Sequence, residues 1–230
     1  MVDSQIPSAV ASSLMSGRIR ANIAAIIAIE AATQRAFAES QGSDPRVWEW
    51  RVYTERDFVL ELWLNDENGH LETPVVNVWF ESAAYDKSRS TAVRPVYTGR
   101  FIVDCYGPGL AQDDGSGGHI PEDVRAAEIR DRVAGLAYTA LMTHQNSQVQ
   151  LNDTGAVWNS MTVGQMDNFV PTVGDRPARF VRASRLVVEV AYAEPPPQRE
   201  YGTLESIRVD VQHDPLTNEV TASAEFEYPE

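Results

Sequence analysis

The chain has 230 residues, 43% of them hydrophobic, and 33 acidic against 19 basic residues give a formal charge of −14. That length holds one elaborated domain or two small ones, and the apolar content excludes a disordered chain. The acidity argues against a nucleic-acid grip, which needs clustered Lys and Arg, and no apolar run reaches the roughly 18 residues of a membrane span.

The N-terminal stretch lacks the basic region, apolar run and cleavage site of a secretory signal. Its apolar residues are mixed with Arg18, Arg20 and Glu30, so the spacing predicts a helix over about 12–39. Ile19, Ile23, Ile26 and Phe37 share one face, flanked by Ile27 and Ile29. Glu30 falls inside this stripe, where a carboxylate either snorkels to the edge or pairs across an interface. "QGSDP" at 41–45 ends the helix.

Short strands follow. "RVWEWRVY" alternates Trp48, Trp50 and Val52 against Glu49 and Arg51. "FVLELWL" places Phe58, Leu60, Leu62 and Leu64 on one side, and "NDENG" makes a turn. "TPVVNVWF" puts Val76, Val78 and Phe80 on one face and Val75 and Trp79 on the other. "YTGRFIVDCYG" returns with Tyr97, Phe101, Val103 and Cys105 on one face and Arg100 and Asp104 opposite. Cys105 then reads as a small core residue. As the single cysteine it leaves no disulfide framework or cysteine-rich metal site, and it fits a reducing, cytoplasmic origin.

"GPGLAQDDGSGGHIPEDV" reads as a loop leading into a helix over about 121–142, with Pro121 at its first position and Glu122 and Asp123 at the positive end of its dipole. Its stripe is Ala126, Ile129, Val133, Leu136, Ala137 and Ala140. Residues 145–178 are weakly patterned, with one strand near 156–163. "RFVRASRLVVEVAYAE" is the strongest strand, with Phe180, Leu186, Val188, Val190 and Tyr192 in period two. "PPPQREYG" breaks it as a stiff arm. "LESIRVDVQ" and "EVTASAEFEY" close the chain as an acidic β-hairpin over about 204–228. Residues 186–230 hold ten acids against Arg199 and Arg208.

The order predicts a single α+β domain over 1–230: a mostly antiparallel sheet with two main helices packed on one face, long loops and an extra C-terminal hairpin. Apolar Trp79, Val187 and Ala191 on the second sheet face call for a further layer or another subunit.

Catalytic signatures are sparse. There is no GxSxG elbow, P-loop or HExxH, and His70, His119, His144 and His213 are scattered. "QDDGSGG" and "NDENG" lack the alternate ligands and twelfth-position glutamate of a calcium loop, so turn chemistry explains them better. The "GPG" at 107–109 lacks the helix directly after it that a phosphate cradle needs. The expectation is no catalytic residue, no cofactor and no metal.

The succession "TPVVNVWFESAAYDKSRS", "YTGRFIVDCYG", "AAEIRDRVAGLAYTALM", "ARFVRASRLVVEVAYAEPPPQ" resembles the layout of tailed-bacteriophage tail terminator (tail completion) proteins, over roughly residues 10–213. The resemblance implies a structural virion protein made in the host cytoplasm. It implies a ring, usually of six copies, that caps the tail tube protein and meets the head-proximal connector. DNA passes through the lumen without specific binding, and no membrane is involved. An acidic lumen would not hold DNA back. Under this reading Glu30, Trp79, Asp113, Asp114, Met166, Phe169 and Arg199 are the candidate contacts to neighbouring subunits, tube or connector, with loops 108–119 and 160–178 foremost. Another neck protein is the alternative, and a ligand-binding or enzymatic α+β domain or an acidic DNA mimic are rival classes.

Overall fold

In a computed structural model, the described residues are 15–56, 73–91, 95–113, 115–116, 118–143, 150–151, 156–173, 176–177, 180–194, 206–213 and 220–227. Contacts divide the chain into two units, residues 13–196 and a C-terminal unit from 197.

Helix α1, Met15–Ser40, buries Ile19, Ile23, Ile27 and Ala31 at i, i+4 spacing, with Met15, Ala24 and Ala38 beside them. Phe37 and Ile29 do not belong to that face: they are 62% and 67% exposed. Each four-residue step carries the buried row about 40° round the helix, and Phe37, back in line with Ile19, lies about 80° behind Ile27. The end of α1 is a Schellman motif. Gly42 sits at φ 67°, Ser43 N–H donates to Ala38 C=O at 2.9 Å and Gly42 N–H to Glu39 C=O at 3.1 Å.

The expected strand over "RVWEWRVY" forms only in part. Pro45–Trp48 is a 3-10 turn started by Asp44, whose carboxylate accepts from Arg46 N–H, and strand β1 is Arg51–Thr54. Pro45 supplies no donor and a helical φ, which favours the turn over a ladder. "FVLELWL" lies outside the described residues.

The main sheet is built from β2 (Val75–Tyr85), β3 (Val96–Pro108), β6 (Gln150–Leu151), β7 (Ala156–Phe169) and β10 (Val181–Ala193), in the order β1-β2-β3-β10-β7-β6. Only β1 with β2 is parallel; the other pairs are antiparallel. The short pairs β4–β5 (Gln112–Asp113, His119–Ile120) and β8–β9 (Thr172–Val173, Arg176–Pro177) sit in the connections. Segments expected as long loops are therefore more ordered. Of the expected loop 160–178, residues 160–169 belong to β7, and 108–119 carries a small hairpin. In "NSMTVGQMDNF" the register shift at Gly164 and the many polar residues break the period-two alternation and mask its strand signal.

Helix α2, Glu122–Met142, starts one residue later than expected, with Pro121 as its cap. It buries Ala126, Ile129, Val133, Ala134, Ala137, Ala140 and Leu141. Both helices lie on the sheet face that carries Val76, Val78, Phe101, Val103, Cys105, Leu186, Val188 and Val190, which together form the core. Cys105 is fully buried there, as expected.

Gly107 and Gly109 explain the "GPG". A Cβ on Gly107 would lie 2.2 Å from Arg130 N, and one on Gly109 2.3 Å from Ala126 N. The end of β3 thus meets the backbone of α2 directly, a contact only glycine permits. Gly99 is constrained more softly, since a Cβ there would meet the Tyr192 and Phe101 rings at 2.8 and 2.9 Å.

The C-terminal unit contains β11 (Ser206–His213) antiparallel to β12 (Val220–Glu227), as expected.

Candidate interaction surface

The second face of the sheet, away from the helices, is where charge and aromatic groups gather. Cross-strand register sets Asn77, Asp104, Arg185 and Asp167 in one row, and Trp79, Ile102, Val187 and Gln165 in the next. Asp104 is 3% exposed. It accepts two hydrogen bonds from Arg185, from Nε at 2.7 Å and Nη2 at 2.9 Å, and a third from Trp79 Nε1 at 3.2 Å. A fork-to-fork pair of this kind fixes orientation as well as charge.

Arg185 also lies against two rings. Its guanidinium carbon is 5.5 Å from the Trp79 ring and 5.3 Å from that of Phe169, both within cation–π range. Tyr106 meets Phe169 edge-on at 6.3 Å. On the same face Ile102 and Val187 are 1% and 3% exposed. Asn77, polar within an apolar strand, is occupied by main chain: its Nδ2 donates to Arg56 C=O at 2.9 Å and its Oδ1 accepts from Arg56 N–H.

Two of the seven candidate contact residues, Trp79 and Phe169, thus converge on Arg185, which sequence reasoning missed. The signal was present, because Arg185 occupies an outward position of the strongest strand. What no pattern shows is that Asp104, 81 residues earlier, sits opposite. The others are dispersed. Glu30 is half-buried on α1 and accepts from Gln34 Nε2 at 2.9 Å, so it stays within its own helix. Asp113 is exposed and takes Gly115 N–H in a turn. Met166 is 49% exposed and lies opposite Leu186, hence on the helix side of the sheet. Asp114 and Arg199 lie outside the described residues.

A shallow cleft of about 570 Å³ lies at the start of α2, lined by His119, Pro121, Glu122, Asp123, Val170 and Arg182 among others. Arg182 pairs with Asp123 at 3.6 Å. Among the described residues no cluster of His, Cys, Asp and Glu could hold a metal, and no helix is long and apolar enough to cross a membrane.

Burial raises the pKa of three acidic groups. Desolvation, then the Asp104 charge, pushes up both the Cys105 thiol and the Tyr106 hydroxyl. Desolvation, then Glu194, raises Tyr192 to about 12. Each folded-state value exceeds its unfolded one. The stabilising contribution is therefore complete below the unfolded pKa and is lost as pH rises. The melting temperature is expected to be level from neutral pH to about 8.5 and to fall steadily above about pH 9–10. Thermal scans across this range, with tyrosinate absorbance followed in parallel, check it. A melting temperature unchanged to pH 11 would contradict it.

Comparison of the sequence with protein-family models and with curated proteins finds no match.

Proposed function

We propose that the chain is a structural subunit of a bacteriophage tail terminator: a ring, of about six copies, that caps the tail tube, meets the head connector and lets DNA pass. The observation that carries this reading is the outer sheet face. Its Trp79–Arg185–Phe169 cluster, seated on a buried carboxylate, has the composition of an interface centre, where Trp, Tyr and Arg dominate binding energy. The α+β layout with two helices on one sheet face agrees with the architecture that the resemblance implies. The charge of −14 suits a lumen that lets DNA slide. The role is mechanical, without catalysis, and the place is the virion neck.

Negative-stain microscopy of the purified protein, alone and mixed with tail tubes, tests the reading. Rings, or caps at a single tube end, are expected. Phe169→Ala, which removes one wall of the Arg185 sandwich, should weaken capping by about 2 kcal/mol, roughly 30-fold, if this cluster is the contact. Circular dichroism would confirm that the variant is folded. Monomers that ignore tubes would favour the alternative, a connector or head-completion role in the same neck.

A further inference from the structure

Charge is divided between the two ends of the sheet. At one end the turn between β2 and β3, residues 86–94, holds Lys87, Arg89 and Arg94 against Asp86 alone. Beyond the other end, residues 110–123 run from β3 into the first turn of α2. They hold Asp113, Asp114, Glu122 and Asp123 and neither Lys nor Arg.

The basic turn is firmly built. Its one acid is occupied by the turn itself, since the Asp86 carboxylate accepts from Ser88 N–H at 2.9 Å, Ser88 Oγ at 2.6 Å and Arg89 N–H at 3.2 Å. Ser90 Oγ donates to Asp86 C=O at 2.6 Å and accepts from Val96 N–H at 2.8 Å, which ties the turn to the start of β3. Lys87 and Arg89 are exposed. Among the described residues, eight arginines pair with carboxylates, and no carboxylate lies within ion-pair distance of the Lys87 or Arg89 side chain.

The acidic end carries the cleft of about 570 Å³, with Glu122 and Asp123 in its lining beside His119, Pro121 and Val170. Both carboxylates belong to exposed residues. Arg182 offsets only one of them, pairing with Asp123 at 3.6 Å, so Glu122 is the surplus charge of the lining. One copy cannot join its own ends. The thirteen residues Val96–Pro108 lie between them, about 40 Å at ~3.3 Å per residue. A Cβ on Gly109 would lie 2.4 Å from Glu122 C=O, which fixes the acids beyond Pro108. Charges that far apart, against a screening length of about 8 Å, neither pair nor cancel.

We propose that the basic turn of one copy docks in the acidic cleft of the next, head to tail, with Lys87 and Arg89 facing Glu122 and Asp123. Charge complementarity names the occupant. Two chains of −14 repel overall, so their encounter is steered to the place where one offers cations to carboxylates of the other. The contact is heterologous, one end against a different end, which closes into a ring or continues as a filament. It deepens the ring reading and rests on it only for closure.

Sedimentation velocity of the full 25.5-kDa chain tests it. The chain is expected to associate at about 0.1 M salt and to lose at least roughly tenfold in affinity at about 1 M, where exposed charges are screened. Lys87→Glu combined with Arg89→Glu makes turn and cleft both acidic. Glu122→Lys makes both basic. Each variant alone should stay monomeric. An equimolar mixture should restore association, because every turn then meets a cleft of opposite sign. Misfolded chains would not recover on mixing, so recovery separates a lost contact from a lost fold. A wild-type chain that stays monomeric at low salt, association that survives in both variants, or loss without recovery on mixing would overturn the proposal. So would duplex DNA binding that the turn variant loses while its self-association persists, which would make phosphate the occupant. Head-to-tail assemblies that never cap a tube would uphold the contact and sink the terminator reading. Caps formed equally well by either variant alone would do the reverse.

Discussion

Gly107→Ala is expected to lower the melting temperature by about 6–12 °C. The added Cβ would lie 2.2 Å from Arg130 N, 2.6 Å from Ala126 C=O and 2.7 Å from Arg130 Cα. These are backbone atoms of a helix whose same face is pinned further along by Val133 and Ala137 in the core, and no side chain can swing away to relieve the clash. Helix and strand must separate along the contact. Overpacking a rigid site costs about 3 kcal/mol at its upper range, and each kcal/mol shifts a domain of this size by about 2–4 °C. Gly135→Ala is the control. It sits on the exposed side of the same helix with nothing within 4 Å of a new Cβ, and should stabilise by about 0.5–1 kcal/mol. Calorimetry of both variants decides it. Equal small shifts would mean that α2 is not seated on β3 as described.

Asp104→Ala is expected to cost about 2–3 kcal/mol, by chemical denaturation at neutral pH. Removing one member of a buried ion pair costs about 3–5 kcal/mol. Here the Arg185 side chain is 40% exposed, so water recovers part of that loss. Three donated hydrogen bonds lose their acceptor together, two from Arg185 and one from Trp79. Asp104→Asn keeps the shape and an acceptor for Trp79, and should cost less than half as much. A double-mutant cycle with Arg185→Ala should return a coupling of at least about 1 kcal/mol. Additive losses would show that the pair does not act as a unit, and that the aromatic sandwich is held by packing alone.

Both results bear on what a sequence can disclose. The core face of β2, β3 and β10 was legible because Val76, Val78, Phe101, Val103, Leu186, Val188 and Val190 alternate cleanly with residues of the other face. The two helices were legible from their spacing. Phe37 misled, because an apolar residue near the end of a helix scores as part of a stripe whether or not a partner lies beneath it. The 3-10 turn at Pro45 hid inside an alternating pattern, and β7 hid among exposed polar residues. "GPG" could be rejected as a phosphate cradle. Its real task, close contact with a helix that starts thirteen residues later, is a tertiary fact with no local mark. The same holds for the outer face: Trp79, Phe169 and the outward place of Arg185 are legible, but not that Arg185 meets Asp104 across the sheet.

The sheet order has a further consequence, for how the protein is made. β10 forms the centre of the sheet, between β3 and β7, yet its Arg185 lies 81 residues after its partner Asp104. A ribosome adding about 5–20 residues per second takes on the order of ten seconds to cover that distance. During that interval a nascent chain holding α1, β2 and β3 presents the whole flank of β3, Val96–Pro108, with nothing yet to pair against. A cell translating many copies of this chain at once would fill with such waiting hairpins. Yield of native protein should therefore respond more to slower translation and to the host's holding chaperones than to any change in the stability of the finished fold.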